Sequence, residues 1–170
     1  MSELMVIKIG GGEGIELDAA LTEIAELVGA GTRVVLVHGG SHETNVLSER
    51  LGRPPTFITS PSGHTSRRTD RETLEIFEMA YCGKVNKGIV ESLRRQGVDA
   101  VGLSGIDAGI WTGKRKGAIR AVGEDGRTMI IRDDLTGKVE RVDADFLRLL
   151  LDSGRTPVLT PSSDIAGGVS

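Results

Sequence analysis

Short apolar runs recur along the chain, and stretches with helical spacing lie between them. Four of these runs predict buried strands, at Met5–Ile9, Val34–Val37, Asp99–Leu103 and Thr156–Thr160. Continuous runs of this length are typical of parallel strands that are covered on both faces. The pattern therefore predicts an α/β fold in which a parallel core sheet is sandwiched by helices.

Three segments between the strands predict helices. Apolar residues recur every three or four positions in Leu17–Val28, and Asp143–Asp152 shows the same spacing. A further helix is predicted at Glu43–Leu51, where it ends before "GRPP" because glycine and proline do not continue a helix. Strand, crossover helix and strand follow one another, which favours right-handed parallel connections.

The clearest helical stripe runs from Thr69 to Leu93, after a predicted loop at Ser60–Arg68. Thr69 and Glu72 have the spacing of a capping box, so we expect the helix to begin there. About 25 residues correspond to roughly 38 Å of helix. Because so long an element often forms a subunit contact, we expect a homodimer through the helix at 70–95.

The pattern changes over 109–142, where short strands alternate with turn signals. The segments are "GIWTG", "GAIRAV", "EDGR", "TMIIR" and "TGKVERV". They predict an antiparallel hairpin flap. After Thr160 the chain ends in "PSSDIAGGVS", without the helix that should cover the last strand, so we expect residues 1–170 to be part of a longer protein.

Composition narrows the classes of function. The chain has 170 residues, a formal charge of -3 and one cysteine, Cys82. These values exclude a disulfide framework and disfavour a nucleic-acid-binding protein. The sequence contains no signal peptide and no apolar run long enough to span a membrane, so we expect a cytoplasmic protein. His42 and His64 lack metal-ligand spacing with Cys82, and we predict no metal site.

Two strands end in glycine turns, "KIGGG" and "VHGG", which a parallel sheet would bring to one edge. Glycine lets backbone amides approach anionic oxygens, and Lys8 adds a full positive charge. The turns match neither a P-loop nor a dinucleotide fingerprint. His38 stands where a dinucleotide site would need an acid, and a lone histidine beside a strand is usually hydrogen-bonded scaffolding.

Two basic clusters offer further anion sites. Arg67, Arg68 and Arg71 lie around a predicted helix start, and an arginine fork suits a carboxylate. The segment "GKRKGAIR" places cations on the flap of an acidic protein. This asymmetry favours docking of an acidic partner, although such runs are also common as solvated hairpin edges.

Several segments together resemble the amino acid kinase superfamily, namely "VIKIGGGEGI", "LVHGGSHETN", "SRRTDRETLEIFEMAYCGKVNK", "VGLSGIDA", "GKRKGAI" and "RTPVLTPS". Within it, the resemblance is to the acetylglutamate-kinase-like enzymes whose substrate is joined to the carrier protein LysW. The resemblance implies the carbamate kinase-like fold and transfer of the γ-phosphoryl group of MgATP to the side-chain carboxylate of aminoadipate or glutamate. Such a transferase would act in lysine biosynthesis, or also in an arginine route.

The resemblance also implies roles for individual residues. Lys8 would stabilise the transferring phosphoryl group together with the backbone amides of Gly11 and Gly40. Gly39 and Gly40 would line the acceptor, and Arg67 would bind its free carboxylate. The cations that would dock the acidic LysW carrier are Lys114, Arg115 and Lys116.

The chain departs from the superfamily pattern after "PVLTP". It lacks the substrate-binding asparagine, the aspartate that organises the lysines and the ATP-binding lobe with a second lysine, so we expect little activity from these 170 residues alone. Two alternatives stay open: a kinase for free N-acetylglutamate, and a non-catalytic binding or dimerisation module.

Overall fold

The computed structural model describes residues 3–123 and 126–166. The α-helices in these ranges are α1 (Leu17–Gly29), α2 (Ser41–Arg50), α3 (Arg71–Glu78), α4 (Asn86–Arg95) and α5 (Ala144–Asp152). A π-helical segment, Met79–Val85, lies between α3 and α4, and a 3-10 turn lies at Asp107–Gly109. None of the helices described combines the length and apolarity that a membrane crossing requires.

Ten strands lie in the same ranges. They are β1 (Leu4–Ile9), β2 (Arg33–His38), β3 (Phe57–Thr59), β4 (Thr65–Arg67), β5 (Ala100–Gly105), β6 (Trp111–Arg115), β7 (Ile119–Val122), β8 (Thr128–Ile131), β9 (Gly137–Val142) and β10 (Thr156–Ala166). The four predicted core strands form one parallel sheet in the order β1-β2-β10-β5, which confirms the prediction. Ile9 pairs with His38, so β1 and β2 end at the same level.

Helices pack on both faces of the parallel sheet, as predicted. One face is covered by α1 and α4, which bury Leu21, Ile24, Ile89 and Leu93 against the strands. On the other face, α5 packs Leu151 against Leu159 and Val35. The second face is less complete, because Leu4 and Val6 of the edge strand β1 stay 52% and 70% exposed.

The antiparallel strands predicted over 109–142 are present, but they are divided between two sheets. β6 pairs with β9 and also joins the main sheet, because β10 continues past Thr160 and pairs with it in parallel. β7 and β8 instead belong to a separate antiparallel sheet in the order β4-β3-β7-β8. Glu124 and Asp125 of the predicted "EDGR" turn lie outside the described residues.

The prediction of an unbroken loop at Ser60–Arg68 is wrong. β4 occupies Thr65–Arg67 and pairs with β3. In the turn between the two strands, the Ser60 amide donates a hydrogen bond to the His64 carbonyl oxygen at 2.9 Å, and the Ser60 carbonyl oxygen accepts one. Each of these strands has three residues, and β4 is wholly polar. So short a polar segment shows no alternation of apolar and polar positions.

The long helix spans 25 residues from Arg71 to Arg95, but its start differs from the prediction. Asp70 is the N-cap and accepts a hydrogen bond from the Thr73 amide at 3.0 Å. Thr69 instead donates its amide to buried Asp134 at 2.9 Å. The predicted N-cap was therefore one residue too early, since aspartate caps a helix as well as threonine does.

Candidate active site at the carboxyl edge of the parallel sheet

The two glycine turns meet at the carboxyl edge of the sheet, as predicted. The Gly39 amide donates to the Ile9 carbonyl oxygen at 2.9 Å. A Cβ on Gly11 would lie 1.9 Å from the Gly40 nitrogen, so a side chain at position 11 would collide with the opposite turn. Glycine is therefore required where the backbones cross.

Helix α2 ties the two turns together at its first residues. It begins at Ser41, directly after Gly40, and not at Glu43 as predicted. The His42 amide and the Ser41 hydroxyl both donate to the Gly11 carbonyl oxygen, at 2.8 and 2.9 Å. The first turn is thus hydrogen-bonded to the helix that follows the second.

A cavity of about 310 Å³ opens beside this contact. Both glycine turns line it, together with Val85 and Gly88 of the long helix, and the Glu43–Lys84 ion pair lies at its wall. Neither Lys8 nor Arg67 lines the cavity. The cavity therefore lies on the side of the turns that faces α1 and α4.

Lys8 lies on the other side of β1. It pairs with Val37, two residues before Gly10, and its side chain is exposed. Because side chains alternate along a strand, Lys8 shares a face with Val6 and points away from buried Ile9. Within residues 3–123 and 126–166 its ammonium has no ion pair or hydrogen bond, so its charge is available to an anion.

Arg67 reaches from β4 to the start of α2. Its Nη2 donates to the Asn45 side-chain oxygen at 2.5 Å and lies 3.4 Å from the Ser41 carbonyl oxygen. The guanidinium carbon lies 5.4 Å from the centre of the Phe57 ring, a cation–π contact. Burial lowers the pKa of Arg67, which remains a cation at neutral pH.

One nitrogen of this guanidinium is left without an acceptor. Nη1 of Arg67 is buried, and no atom of the described part of the chain accepts a hydrogen bond from it. Burying an unpaired donor costs about 1–3 kcal/mol. A ligand or segment that supplied an oxygen here would recover that cost.

Buried His38 is hydrogen-bonded to the second glycine turn from the core of the protein. It is 1% exposed, with Nδ1 2.9 Å from the Gly39 carbonyl oxygen and Nε2 3.0 Å from Nδ2 of Asn86. Burial lowers the pKa of His38, and the hydrogen bond to Gly39 partly offsets this. The interpretation of His38 as hydrogen-bonded scaffolding is confirmed.

Tyr81 packs on the same turn from the π-helical segment. A Cβ on Gly40 would lie 3.1 Å from its ring, which stacks on Phe77 with centroids 3.8 Å apart. Burial raises the pKa of the Tyr81 hydroxyl, while the Gly40 amide and the positive charge of Arg67 partly offset this effect. The hydroxyl therefore lies near two groups of the candidate site.

The basic cluster lies elsewhere, on β6 and just beyond it. Lys114 and Lys116 are exposed. Arg115 donates from Nε to the Asp134 carbonyl oxygen at 3.0 Å and from Nη2 to the Arg132 carbonyl oxygen at 2.6 Å. The predicted docking residues thus differ: two are solvated cations, and Arg115 binds backbone carbonyls of the β8–β9 connection.

Sequence reasoning missed three side chains of this region, namely Asn45, Tyr81 in its contact with Gly40, and Asn86. Asn86 could have been recognised from the sequence, because it lies three positions before Ile89 and seven before Leu93, on the buried face of the helix. A polar residue in such a stripe needs a buried partner. No group of three or more metal-ligating side chains occurs in the described ranges.

Comparison with known proteins identifies the family. The model of the amino acid kinase family matches residues 3–169. The chain belongs to the amino acid kinase family. The parallel sheet with its glycine turns at the carboxyl edge is therefore the fold of this family, as the resemblance implied.

Solved structures share the fold. The protein smu.665 from Streptococcus mutans aligns with a TM-score of 0.69 at 22% identity, over 94% of this chain and 59% of that one. A carbamate kinase from Giardia aligns with a TM-score of 0.52 at 11% identity, over 94% of this chain and 59% of that one. At these identities the likeness concerns architecture alone.

Curated relatives in the amino acid kinase family are much more similar in sequence. A "[LysW]-aminoadipate kinase" of Deinococcus radiodurans is 54% identical, and the alignment covers 98% of this chain and 57% of that protein. The protein of the same name in Thermus thermophilus is 51% identical, with 93% and 58% covered. The chain thus spans a little over half the length of these relatives.

Proposed function

We propose that residues 1–170 form the acceptor-binding lobe of a LysW-dependent amino acid kinase. The enzyme transfers the γ-phosphoryl group of ATP to the side-chain carboxylate of aminoadipate, or of glutamate, attached to LysW. The contact between the two glycine turns carries this proposal, because it brings backbone amides from two strands to one edge. The names of the relatives support the choice of substrate.

The roles of Lys8, Gly11 and Gly40 follow from the demands of phosphoryl transfer. The acceptor carboxylate oxygen bonds to the γ-phosphorus as the bond from that phosphorus to the ADP oxygen breaks. The protein must place two anions in line and neutralise their charge. The exposed ammonium of Lys8 and the amides of the two touching turns are suited to this task.

The acceptor would lie against Gly39 and Gly40, with its free carboxylate bound by Arg67. The guanidinium is anchored through Asn45 to the helix that follows Gly40. A carboxylate would supply the acceptor that Nη1 lacks within the described residues. Arginine is the side chain best suited to such a pair, because its fork accepts a carboxylate bidentately.

The residues present fit the phosphate end of ATP better than the rest of the cofactor. Glycine turns and a lysine suit a phosphate, whereas neither turn supplies a surface for the base and ribose of the nucleotide. We therefore propose that a C-terminal lobe binds MgATP. The exposure of Leu4 and Val6 supports a further covering element, because parallel sheets are normally covered on both faces.

Partners follow from the same proposal. The acidic LysW carrier would dock on Lys114, Arg115 and Lys116, with the two exposed lysines attracting it over a distance. The long helix would form a homodimer contact, as its length suggests. We expect such a biosynthetic kinase to act in the cytoplasm.

The test is an acyl-phosphate assay on the complete protein that the gene encodes. With MgATP, we expect hydroxylamine to trap product when LysW carries aminoadipate or glutamate, and little product with free N-acetylglutamate. Lys8→Ala should lower kcat far more than it weakens LysW binding. Product from N-acetylglutamate alone would contradict the carrier requirement.

Two binding measurements check the assignments within the 170-residue chain. Calorimetric titration with MgATP should show weak or no binding, and micromolar affinity would place the nucleotide site here. Replacing Lys114 and Lys116 with alanine should weaken LysW binding and reduce its dependence on salt. Unchanged affinity at low salt would contradict docking on this strand.

A further inference from the structure

A row of buried side-chain hydrogen bonds connects the core of the sheet to the second glycine turn. Asn86 of α4 donates from Nδ2 to the Val158 carbonyl oxygen at 3.0 Å. The same nitrogen lies 3.0 Å from His38 Nε2, and His38 Nδ1 lies 2.9 Å from the Gly39 carbonyl oxygen. Both side chains are 1% exposed.

The chemistry of these partners leaves one arrangement of protons. A carbonyl oxygen accepts and never donates, so Asn86 must direct its amide nitrogen at Val158 and His38 must carry a proton on Nδ1. Nδ2 then offers its second hydrogen to Nε2, which accepts as the unprotonated nitrogen of a neutral ring. A proton on Nε2 would instead face the amide nitrogen of Asn86, which is itself a donor.

Holding the Gly39 carbonyl oxygen also sets the direction of the Gly40 amide. The peptide between these residues is planar and trans, so its N–H points away from its C=O. With the oxygen bound to His38, the Gly40 N–H is directed to the opposite side of the turn, where the Tyr81 hydroxyl lies near it. Glycine has no Cβ to resist a peptide flip, so the restraint must come from neighbours.

We propose that His38 and Asn86 are positioning residues that hold the Gly40 amide in the orientation in which it binds an anionic oxygen of the reaction. This inference rests on the proposed phosphoryl transfer for its consequence in catalysis. Neither side chain touches the reacting atoms. They act through the Gly39–Gly40 peptide, and Asn86 acts by selecting the tautomer of His38.

A matched pair of variants separates this role from simple packing. In His38→Asn the side-chain amide can replace Nδ1 and still donate to Gly39, but it does not reach Asn86. In His38→Gln the longer side chain can replace Nε2 toward Asn86 and loses the bond to Gly39. His38→Asn therefore retains only the hydrogen bond to Gly39, and His38→Gln retains only the one to Asn86.

The first measurement is made on the 170-residue chain and does not depend on activity. Long-range ¹H–¹⁵N spectra at pH 7.5 should show a neutral His38 with its proton on Nδ1. Asn86→Leu should shift this tautomer toward Nε2–H, because the donor that reserves the Nε2 lone pair is gone. A wild-type ring protonated on Nε2, or on both nitrogens, would overturn the inference.

The second measurement uses the acyl-phosphate assay on the complete protein. Losing one oriented backbone donor costs about 10²–10³ in kcat, so His38→Gln should fall by that factor while the KM for the loaded carrier changes little. His38→Asn should retain kcat to within about tenfold, as a rescue by the conservative variant. If His38→Gln retains as much kcat as His38→Asn and both variants are folded, the hydrogen bond to Gly39 is irrelevant and the inference fails.

The two hypotheses fail in different ways. If the tautomer is as expected and no form of the protein makes an acyl phosphate, the proposed function is wrong and the arrangement of the turn still holds. If acyl phosphate forms but the tautomer or the ranking of the variants is wrong, the proposed function stands and the positioning role is rejected.

Discussion

The turns after β1 and β2 look alike in sequence, but they are held in different ways. The turn after β2 rests on buried His38 and on the ring of Tyr81. The turn after β1 is largely exposed, and its Gly11 carbonyl oxygen accepts two hydrogen bonds from the start of α2. The second turn is therefore anchored to the core, and the first takes its position from the second.

This difference shows how one rigid element can organise two binding loops. Buried hydrogen-bonded groups open at a high free-energy cost, whereas exposed ones open readily. We thus expect changes at the contact to affect both turns. Changes on the outer side of the first turn should affect neither.

The largest effect is expected for Gly11→Ala. The new Cβ would lie 1.9 Å from the Gly40 nitrogen, a backbone atom that can move only if the turn moves with it. We expect the free energy of unfolding to fall by about 3 kcal/mol, or the turns to separate with loss of phosphoryl transfer. Denaturant unfolding followed by circular dichroism measures the first outcome, and the acyl-phosphate assay measures the second.

Gly12→Ala is the matched control. A Cβ at this position would have nothing within 4 Å. Its unfolding free energy should stay within about 0.5 kcal/mol of the unmodified chain. Equal losses at positions 11 and 12 would show that the contact between the turns is not the cause.

Gly40→Ala should have an intermediate effect. The added methyl would press on the Tyr81 ring at 3.1 Å, and we expect a cost of about 2 kcal/mol from this overpacking. The same change in a Tyr81→Leu background should cost less, because the smaller side chain leaves room. A double-mutant cycle of unfolding free energies measures the coupling, and additive losses would contradict the packing role of Tyr81.

Acid should weaken the anchored turn. Burial lowers the pKa of His38 in the folded chain below its ordinary value of 6.5, so the unfolded chain binds the proton more readily. The stability contribution is present above pH 6.5 and falls as pH decreases below it, by at most about 1.4 kcal/mol per pH unit.

Unfolding measured at pH 7.5 and 5.5 checks this sign. His38→Asn should remove that part of the pH dependence. A chain that grew more stable between pH 7.5 and 5.5 through His38 would show that the buried ring is charged.

The smallest effect is expected for Ser41→Ala. This change removes one of the two hydrogen bonds to the Gly11 carbonyl oxygen at an exposed site, and the His42 amide keeps the other. A loss of about 0.5–1 kcal/mol is expected. If Ser41→Ala cost as much as Gly11→Ala, the hydroxyl and not the backbone contact would hold the first turn.

Much of the fold could be predicted because its core strands are continuous apolar runs. The meeting of the glycine turns followed from parallel order alone. The pairing of β6 with β10 could not be predicted in this way. The two strands are distant in sequence, and nothing in the local pattern shows that β10 continues past Thr160. β3 and β4 were missed because three residues are too few to show a period.

Some candidate residues of the site could be named from the sequence. Glycine turns beside a lysine indicate an anion site, and Arg67 was a candidate because an arginine fork suits a carboxylate. Its anchor Asn45 and the buried contacts of Asn86 depend on which helix faces which strand, and hydrogen-bond partners of this kind are fixed by tertiary packing. Asn86 alone could have been noticed as a polar residue in an apolar stripe.

The π-helical segment at Met79–Val85 has a consequence for what this helix can contact. A π-helical turn holds more residues than an α-helical turn, so this segment sets the angle between the helix before it and the helix after it. With this winding, Tyr81 packs on the glycine turn while Asn86 donates to a carbonyl oxygen of the sheet. The irregular segment is therefore part of what allows one helix to contact both the turn and the sheet.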